Sequence, residues 1–290
     1  MFKGVGTALL TPFDKEFNVD YNSLKKFCRH QIEGKVDAII VLGTTGESPV
    51  INLNEREKII STVLENINGK AEIIIGTGTN NTKDVVELNK MAERLKADGL
   101  LIVNPYYNKG TQESIIAHYK YISERTELPI MLYNVPSRTG MNVLPETALK
   151  IHDECKNVVA IKEASGNISQ IARLISQKPE SFSVYSGNDD QTFPIMALGG
   201  SGIISVFSNA YPKLIKKLTD ALLNSDLSSA RNYQNKYLSM MNALFAETNP
   251  MPLKYVMSKL GLCENVLRLP LMPISKKTEK LLDEIMMNLE

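Results

Sequence analysis

Apolar and polar positions follow two rhythms along this chain. Short apolar runs, rich in β-branched residues, recur every 20 to 35 residues or so, at 4–10, 38–42, 72–77, 99–104, 129–135, 158–162, 183–186 and 202–207. Such runs read as strands. Between them the apolar residues keep helical spacing, as in Tyr21, Leu24, Phe27, Cys28 and Ile32. The same spacing holds for Val85, Leu88, Met91, Ala92 and Leu95, after Thr82 as an expected cap. Strand–helix alternation signals a parallel sheet with helices outside it. Eight runs predict a closed (β/α)8 barrel, a TIM barrel. An open doubly wound sheet stays as the alternative, because counting strands does not see closure. The nearest dinucleotide fingerprint, Gly4-x-Gly6, lacks a third glycine and opens a strand instead of a helix, which weakens that alternative. After the eighth run only helical patterns follow. The stretch 212–224 reads as the last barrel helix, and further helices are expected through Phe245, over 250–260 and over 275–289. The expected organisation is a barrel over 1–224 and a C-terminal helical appendix over 225–290, packed on the barrel or on another subunit.

Composition narrows the function classes. A chain of 290 residues, 43% hydrophobic and 22% charged, is long enough and apolar enough for a large core. The formal net charge is +1 and no block of like charge stands out, which argues against nucleic acid or an anionic membrane as partner. Cys28, Cys155 and Cys263 are far apart and form no CxxC pair. They suit reduced thiols in a cytoplasmic protein, not a disulfide framework or a zinc site. His30, His118 and His152 fall in helical segments with no carboxylate or cysteine at ligand spacing, so no metal is expected. The short apolar stretch after Met1-Phe2-Lys3 reads as a first strand, not a signal peptide, and no run approaches the length of a membrane span.

The unusual residues cluster where strands end, which is where a barrel of this type carries its active site. Lys162 closes the run Val158-Val159-Ala160-Ile161. Simple alternation places Val158, Ala160 and Lys162 on one face, with small Ala160 leaving room for the lysine stem. A lysine there can snorkel to solvent and do nothing. It can also attack a carbonyl and form a Schiff base. An ordinary lysine, with a pKa of about 10.4, is neutral in only about one molecule per thousand near pH 7.4. A reactive lysine therefore needs a closed pocket and partners.

The other strand ends offer those partners. The second leads into Gly43-Thr44-Thr45-Gly46-Glu47-Ser48, a tight loop whose amides and hydroxyls can hold a carboxylate, or which is simply a Gly-Thr turn. The fourth leads into Asn104-Pro105-Tyr106-Tyr107-Asn108, and paired tyrosines often pack at interfaces. The fifth ends in Tyr133-Asn134-Val135-Pro136-Ser137-Arg138-Thr139-Gly140. If strands five and six are neighbours, about 4.8 Å apart, Tyr133 and Lys162 both point inward near the top. The phenol then stands where protons must move, unless it is only a core tyrosine. Arg138 is either a surface charge or the holder of a substrate carboxylate. No G-x-S-x-G elbow and no P-loop is present, and no phosphate cradle that a pyridoxal phosphate enzyme would need.

Gly43-Thr44-Thr45-Gly46-Glu47, the Tyr133–Gly140 segment and Ile161-Lys162-Glu163-Ala164 together resemble the pyruvate-dependent class I aldolases of the N-acetylneuraminate lyase type. Within them the Ser-Arg-Thr-Gly loop and the paired tyrosines resemble the dihydrodipicolinate synthase branch. The resemblance runs almost end to end and includes Asn249-Pro250 and Arg268-Leu269-Pro270. It implies a lyase that joins pyruvate to L-aspartate 4-semialdehyde with no cofactor. Lys162 would carry the imine, and Thr45 with its loop would hold the pyruvate carboxylate. Tyr133 would move protons through Thr44 and Tyr107, and Arg138 would hold the second substrate. Gly187 and Ile204 would line the pyruvate pocket. In the family the second tyrosine reaches in from a neighbouring subunit, so a homotetramer built of tight dimers is implied. Ser48, Asn80 and Tyr106 match the site where inhibited members bind L-lysine. Leu53 and Arg56 replace the histidines common there, and Asp84 replaces a glutamate. An arginine opposite a cationic effector is unfavourable, so weak or absent inhibition is expected. The alternatives are a sister aldolase for a sugar-derived aldehyde, such as N-acetylneuraminate lyase or a keto-deoxy-sugar aldolase, or a ligand-binding barrel without catalysis.

Overall fold

Eight parallel strands pair in sequence order, and the first pairs with the last, so the sheet closes into a barrel. The open-sheet alternative is thereby excluded. The computed structural model describes residues 1–289. The strands are β1 (Gly4–Ala8), β2 (Ala38–Val41), β3 (Glu72–Gly76), β4 (Gly99–Val103), β5 (Ile130–Asn134), β6 (Val158–Glu163), β7 (Ser183–Ser186) and β8 (Gly202–Ser205). All eight coincide with the apolar runs to within two residues at either end. The helices in chain order are α1 (Tyr21–Glu33), α2 (Leu53–Ile67), α3 (Thr82–Arg94), α4 (Gln112–Ser123), the single turn α5 (Pro136–Thr139), α6 (Pro145–Glu154), α7 (Ile168–Gln177), α8 (Thr192–Ala197), α9 (Pro212–Leu223), α10 (Leu227–Ala243), α11 (Met251–Lys259) and α12 (Lys276–Met287).

The strands are apolar on both faces because both faces are covered. Inward side chains, among them Ala38, Ile40, Ile74, Leu101, Met131 and Ile204, fill the barrel as one cluster. Outward side chains such as Ile39, Ile73, Leu100, Leu132 and Ile161 pack against the helices as a second cluster. The appendix packs on the barrel: α10 lies along α9, and α12 packs against α10 and α11.

Two local expectations fail. In β6, Ile130 pairs with Val158 but the next residue, Met131, pairs with Ala160. Val159 is therefore an extra residue, and a bulge resets the side-chain alternation. Val158 joins the outer cluster with Ile161 instead of sharing a face with Ala160 and Lys162. Ala160 stays inside the barrel, so the space beneath Lys162 is kept. In α3 the cap is Asn81, whose side chain accepts from the Lys83 amide. Thr82 is the first helical residue, and its hydroxyl pairs with His118 Nδ1 at 2.9 Å.

Candidate active site

Lys162 and Tyr133 are direct partners across the β5–β6 ladder. Both are nearly buried, at 5% and 6% exposure, and the Lys162 ammonium lies 4.3 Å from the centre of the Tyr133 ring. The aromatic face is a favourable neighbour for a cation yet no acceptor that ties the amine down. Among the described residues, no carboxylate lies within ion-pair distance of Lys162. Gly187, at the top of β7, supplies the room. A methyl group there would sit 3.1 Å from Lys162 Cε and 2.6 Å from Ala164 Cβ. Any side chain at 187 would displace the lysine stem.

Above the lysine opens a cavity of about 520 Å³. Thr44, Thr45, Tyr133, Arg138, Lys162 and Gly187 all line it. Six of the eight residues expected at the catalytic and substrate site thus meet in one place. Ile204 is buried close by. It packs in the barrel interior in the same cluster as Tyr133, Ala160 and Tyr185. Tyr107 stands apart, 91% exposed on the loop after β4, with φ of 68°.

The loop after β2 forms a 3-10 turn over Thr44–Gly46, closed by Glu47 in the left-handed region with φ of 53°. Thr45 is buried, and its hydroxyl lies 3.0 Å from Asn249 Nδ2. Arg138, on α5, donates from Nη2 to the Asn249 carbonyl at 3.0 Å. One residue from the C-terminal part of the chain therefore touches both expected carboxylate holders. Phe245, Ala246, Glu247, Thr248 and Asn249 complete the cavity wall. Reading the residues one by one had assigned this segment no role. The available signal was the Asn249-Pro250 pair, which belongs to the resemblance but sits far from every strand end.

Two buried carboxylates frame the site without entering it. Glu163 follows Lys162 and accepts from Asn134 Nδ2 and from the Ser165 amide at 2.7 Å. Burial pushes its carboxyl above the usual range, and those hydrogen bonds oppose the shift. Asn134 follows Tyr133, so the pair ties together the outward sides of the two strand ends that carry Tyr133 and Lys162 inward. Asp189 accepts from Ser205 Oγ at 2.5 Å and from the amides of Val206 and Phe207 at 3.0 and 3.1 Å. Burial raises it as well.

The residues of the expected effector site lie on the flank of the barrel. The Asn80 carbonyl accepts from Asn108 Nδ2 at 2.9 Å, and Arg56 donates to the carbonyls of Ser48 and Ile51 at 2.5 and 3.2 Å. Leu53, Arg56 and Asp84 line one groove there. Burial lowers the Arg56 pKa, opposed by Tyr106.

Known proteins with this architecture bear on the site's chemistry. The model of the dihydrodipicolinate synthetase family matches residues 1–289. The 4-hydroxy-tetrahydrodipicolinate synthase of Thermotoga petrophila is 52% identical over 289 residues, covering 99% of this chain and 98% of its own. The crystal structure of dihydrodipicolinate synthase from Thermotoga maritima superposes with a TM-score of 0.98 at 50% identity, covering 100% of this chain and 99% of the other. A structure described as the first monomeric dihydrodipicolinate synthase variant matches with a TM-score of 0.97 at 49% identity, covering 99% and 97%. With the whole length matched and a lysine facing a phenol at the barrel mouth, the chain belongs to the dihydrodipicolinate synthetase family, and with it to the Schiff-base-forming lyases.

Proposed function

We propose that this enzyme condenses pyruvate with L-aspartate 4-semialdehyde to give 4-hydroxy-tetrahydrodipicolinate, the first committed step of diaminopimelate and lysine biosynthesis. One observation carries the reading: Lys162 and Tyr133 face each other across adjacent strand ends, in a cavity that also holds Thr45 and Arg138. Lys162 Nζ adds to the pyruvate carbonyl carbon, and loss of water leaves an imine. The imine draws electrons from the methyl group, which loses a proton to give an enamine. The enamine carbon attacks the aldehyde and forms the new carbon–carbon bond. The amine of the second substrate then attacks the former imine carbon, closes the ring and expels Lys162. Each step moves a proton, and in this reading Tyr133 carries it. Thr45 and its loop hold the pyruvate carboxylate, and Arg138 holds that of the semialdehyde.

Thr44 and Tyr107 extend the proton path in this reading. Tyr107 is almost fully exposed in the single chain, which supports its insertion into a second copy and a homotetramer made of tight dimers. The three unpaired cysteines support a cytoplasmic location. Residues 1–224 then form the catalytic barrel, and the C-terminal helical region that begins at 225 lends residues 245–249 to the cavity wall. Inhibition by L-lysine is weak or absent, because Arg56 and Leu53 occupy the expected effector groove. Submillimolar inhibition at neutral pH would overturn that part.

A sister aldolase acting on a sugar-derived aldehyde would share the lysine but has no use for Arg138 on the cavity wall. A non-catalytic barrel would have no need to keep Lys162 and Tyr133 together. Borohydride reduction in the presence of pyruvate, followed by mass spectrometry, tests the imine, and label is expected on Lys162. Arg138→Ala should leave that label in place while lowering kcat/KM for the semialdehyde roughly 100-fold. Folded protein without label would reject the aldolase mechanism. Equal loss of trapping and turnover in Arg138→Ala would remove Arg138 from its role.

A further inference from the structure

We propose that the buried ion pair of Lys254 with Glu47, together with Asn249, positions the Thr44-Thr45 loop and so sets the affinity for pyruvate. The proposal rests on the assignment of Thr45 to the pyruvate carboxylate.

The loop needs an outside restraint. Its turn spans three residues, Thr44 is only half-buried, and Glu47 holds a left-handed conformation that side chains rarely adopt. Such a conformation persists where its surroundings over-determine it. Here they do. Glu47 is buried, with Oε1 2.9 Å from Lys254 Nζ and Oε2 accepting from the Arg268 amide at 3.1 Å. Lys254 also donates to the Thr11 carbonyl at 2.7 Å, and its ammonium lies 4.5 Å from the centre of the Phe13 ring. Thr11 in turn donates from Oγ1 to the Gly46 carbonyl at 2.7 Å. The loop is thus gripped at Gly46 and Glu47 by a ring of contacts that closes through Lys254. A third grip is the contact between Asn249 and Thr45. Asn249 and Lys254 are tied to each other by the first turn of α11, where the Lys254 amide donates to the Pro250 carbonyl.

A purely structural role is the competing account. Replacing both members of a buried ion pair by uncharged groups of similar size is often neutral for stability. Its position at the end of a substrate-holding loop therefore asks for a different explanation. A fixed charge pair gives the loop one geometry, where apolar side chains would tolerate several.

The test is the double variant Glu47→Gln/Lys254→Met, which removes both charges together and strands neither. Its readouts are half-saturating pyruvate for borohydride trapping and the two KM values. Pyruvate half-saturation should rise about tenfold or more, with the semialdehyde KM within about twofold. Glu55→Gln serves as a control. Glu55 also links the barrel to the C-terminal segment, pairing with Arg268 at 2.6 Å, but lies off the loop. It should leave pyruvate half-saturation unchanged. A folded double variant with unchanged pyruvate half-saturation would overturn the proposal, as would an equal change in Glu55→Gln. If the double variant does not fold, Asn249→Ala decides on the same readout, with an unchanged value overturning the proposal. A failure of the aldolase reading is distinct: the unsubstituted protein would then show no imine at all.

Discussion

Lys162 and Lys254 are both buried lysines near the mouth of the same barrel, with 5% and 0% exposure. Lys254 has what a buried ammonium requires, a carboxylate at 2.9 Å and a carbonyl at 2.7 Å. Burial lowers its pKa, and Glu47 opposes the shift. Lys162 has an aromatic face and a cavity but, among the described residues, no such acceptor. Burial alone therefore does not make a lysine reactive. The amine that has found its partners inside the protein becomes a structural fixture. The amine left with unfilled space before it can take a substrate as its partner. His118 is a third outcome. It is buried, its Nε2 has no hydrogen-bond partner among the described residues, and burial pushes its pKa down to about 4, which favours the neutral ring.

The sharpest way to break this comparison is to truncate each lysine in turn. Lys162→Ala should lower turnover by about 10⁴-fold or more while costing about 1 kcal/mol of stability or less. Lys254→Ala should do the reverse in stability, costing about 3–5 kcal/mol because Glu47 is left buried and alone. Urea unfolding and steady-state rates on the two variants check both halves. Comparable destabilisation by the two would erase the distinction.

The next effect lies in acid. A depressed folded pKa for His118 means that the unfolded chain binds the proton first. The stability this contributes is present above about pH 6.5 and lost as pH falls toward 4, up to about 3 kcal/mol. His118→Leu should show a shallower loss of stability over that window. An identical slope in both proteins would show that His118 does not titrate as described.

A smaller effect sharpens the picture of the Lys162 environment. Tyr133→Phe keeps the ring face that the ammonium meets but removes the hydroxyl. Pyruvate trapping should reach the same end point, while kcat falls about 100-fold. A loss of the trapped end point instead would show that the hydroxyl, not the ring, holds Lys162 in place.

Much of this was legible along the chain because it is local. Eight apolar runs, the glycine–threonine loop and a lysine closing a strand are each written in fewer than ten consecutive residues. Where that reasoning failed, it failed over one residue or over long distances. The bulge at Val159 flips Val158, because alternation assumes a regular ladder and cannot see the partner strand. The segment 245–249 on the cavity wall escapes a local reading, because its contacts to Thr45 and Arg138 span 204 and 111 residues of chain.

The sequence by itself determined the strand–helix rhythm, and it singled out the strand-end residues to which a role is proposed here, since periodicity and strand-end chemistry are properties of short segments. Only the tertiary structure decided that the sheet closes, and that a segment some 200 residues downstream grips the loop around Thr45. Closure and grip depend on which distant groups meet. Lys254 looks like any other helical lysine until Glu47 is found beside it.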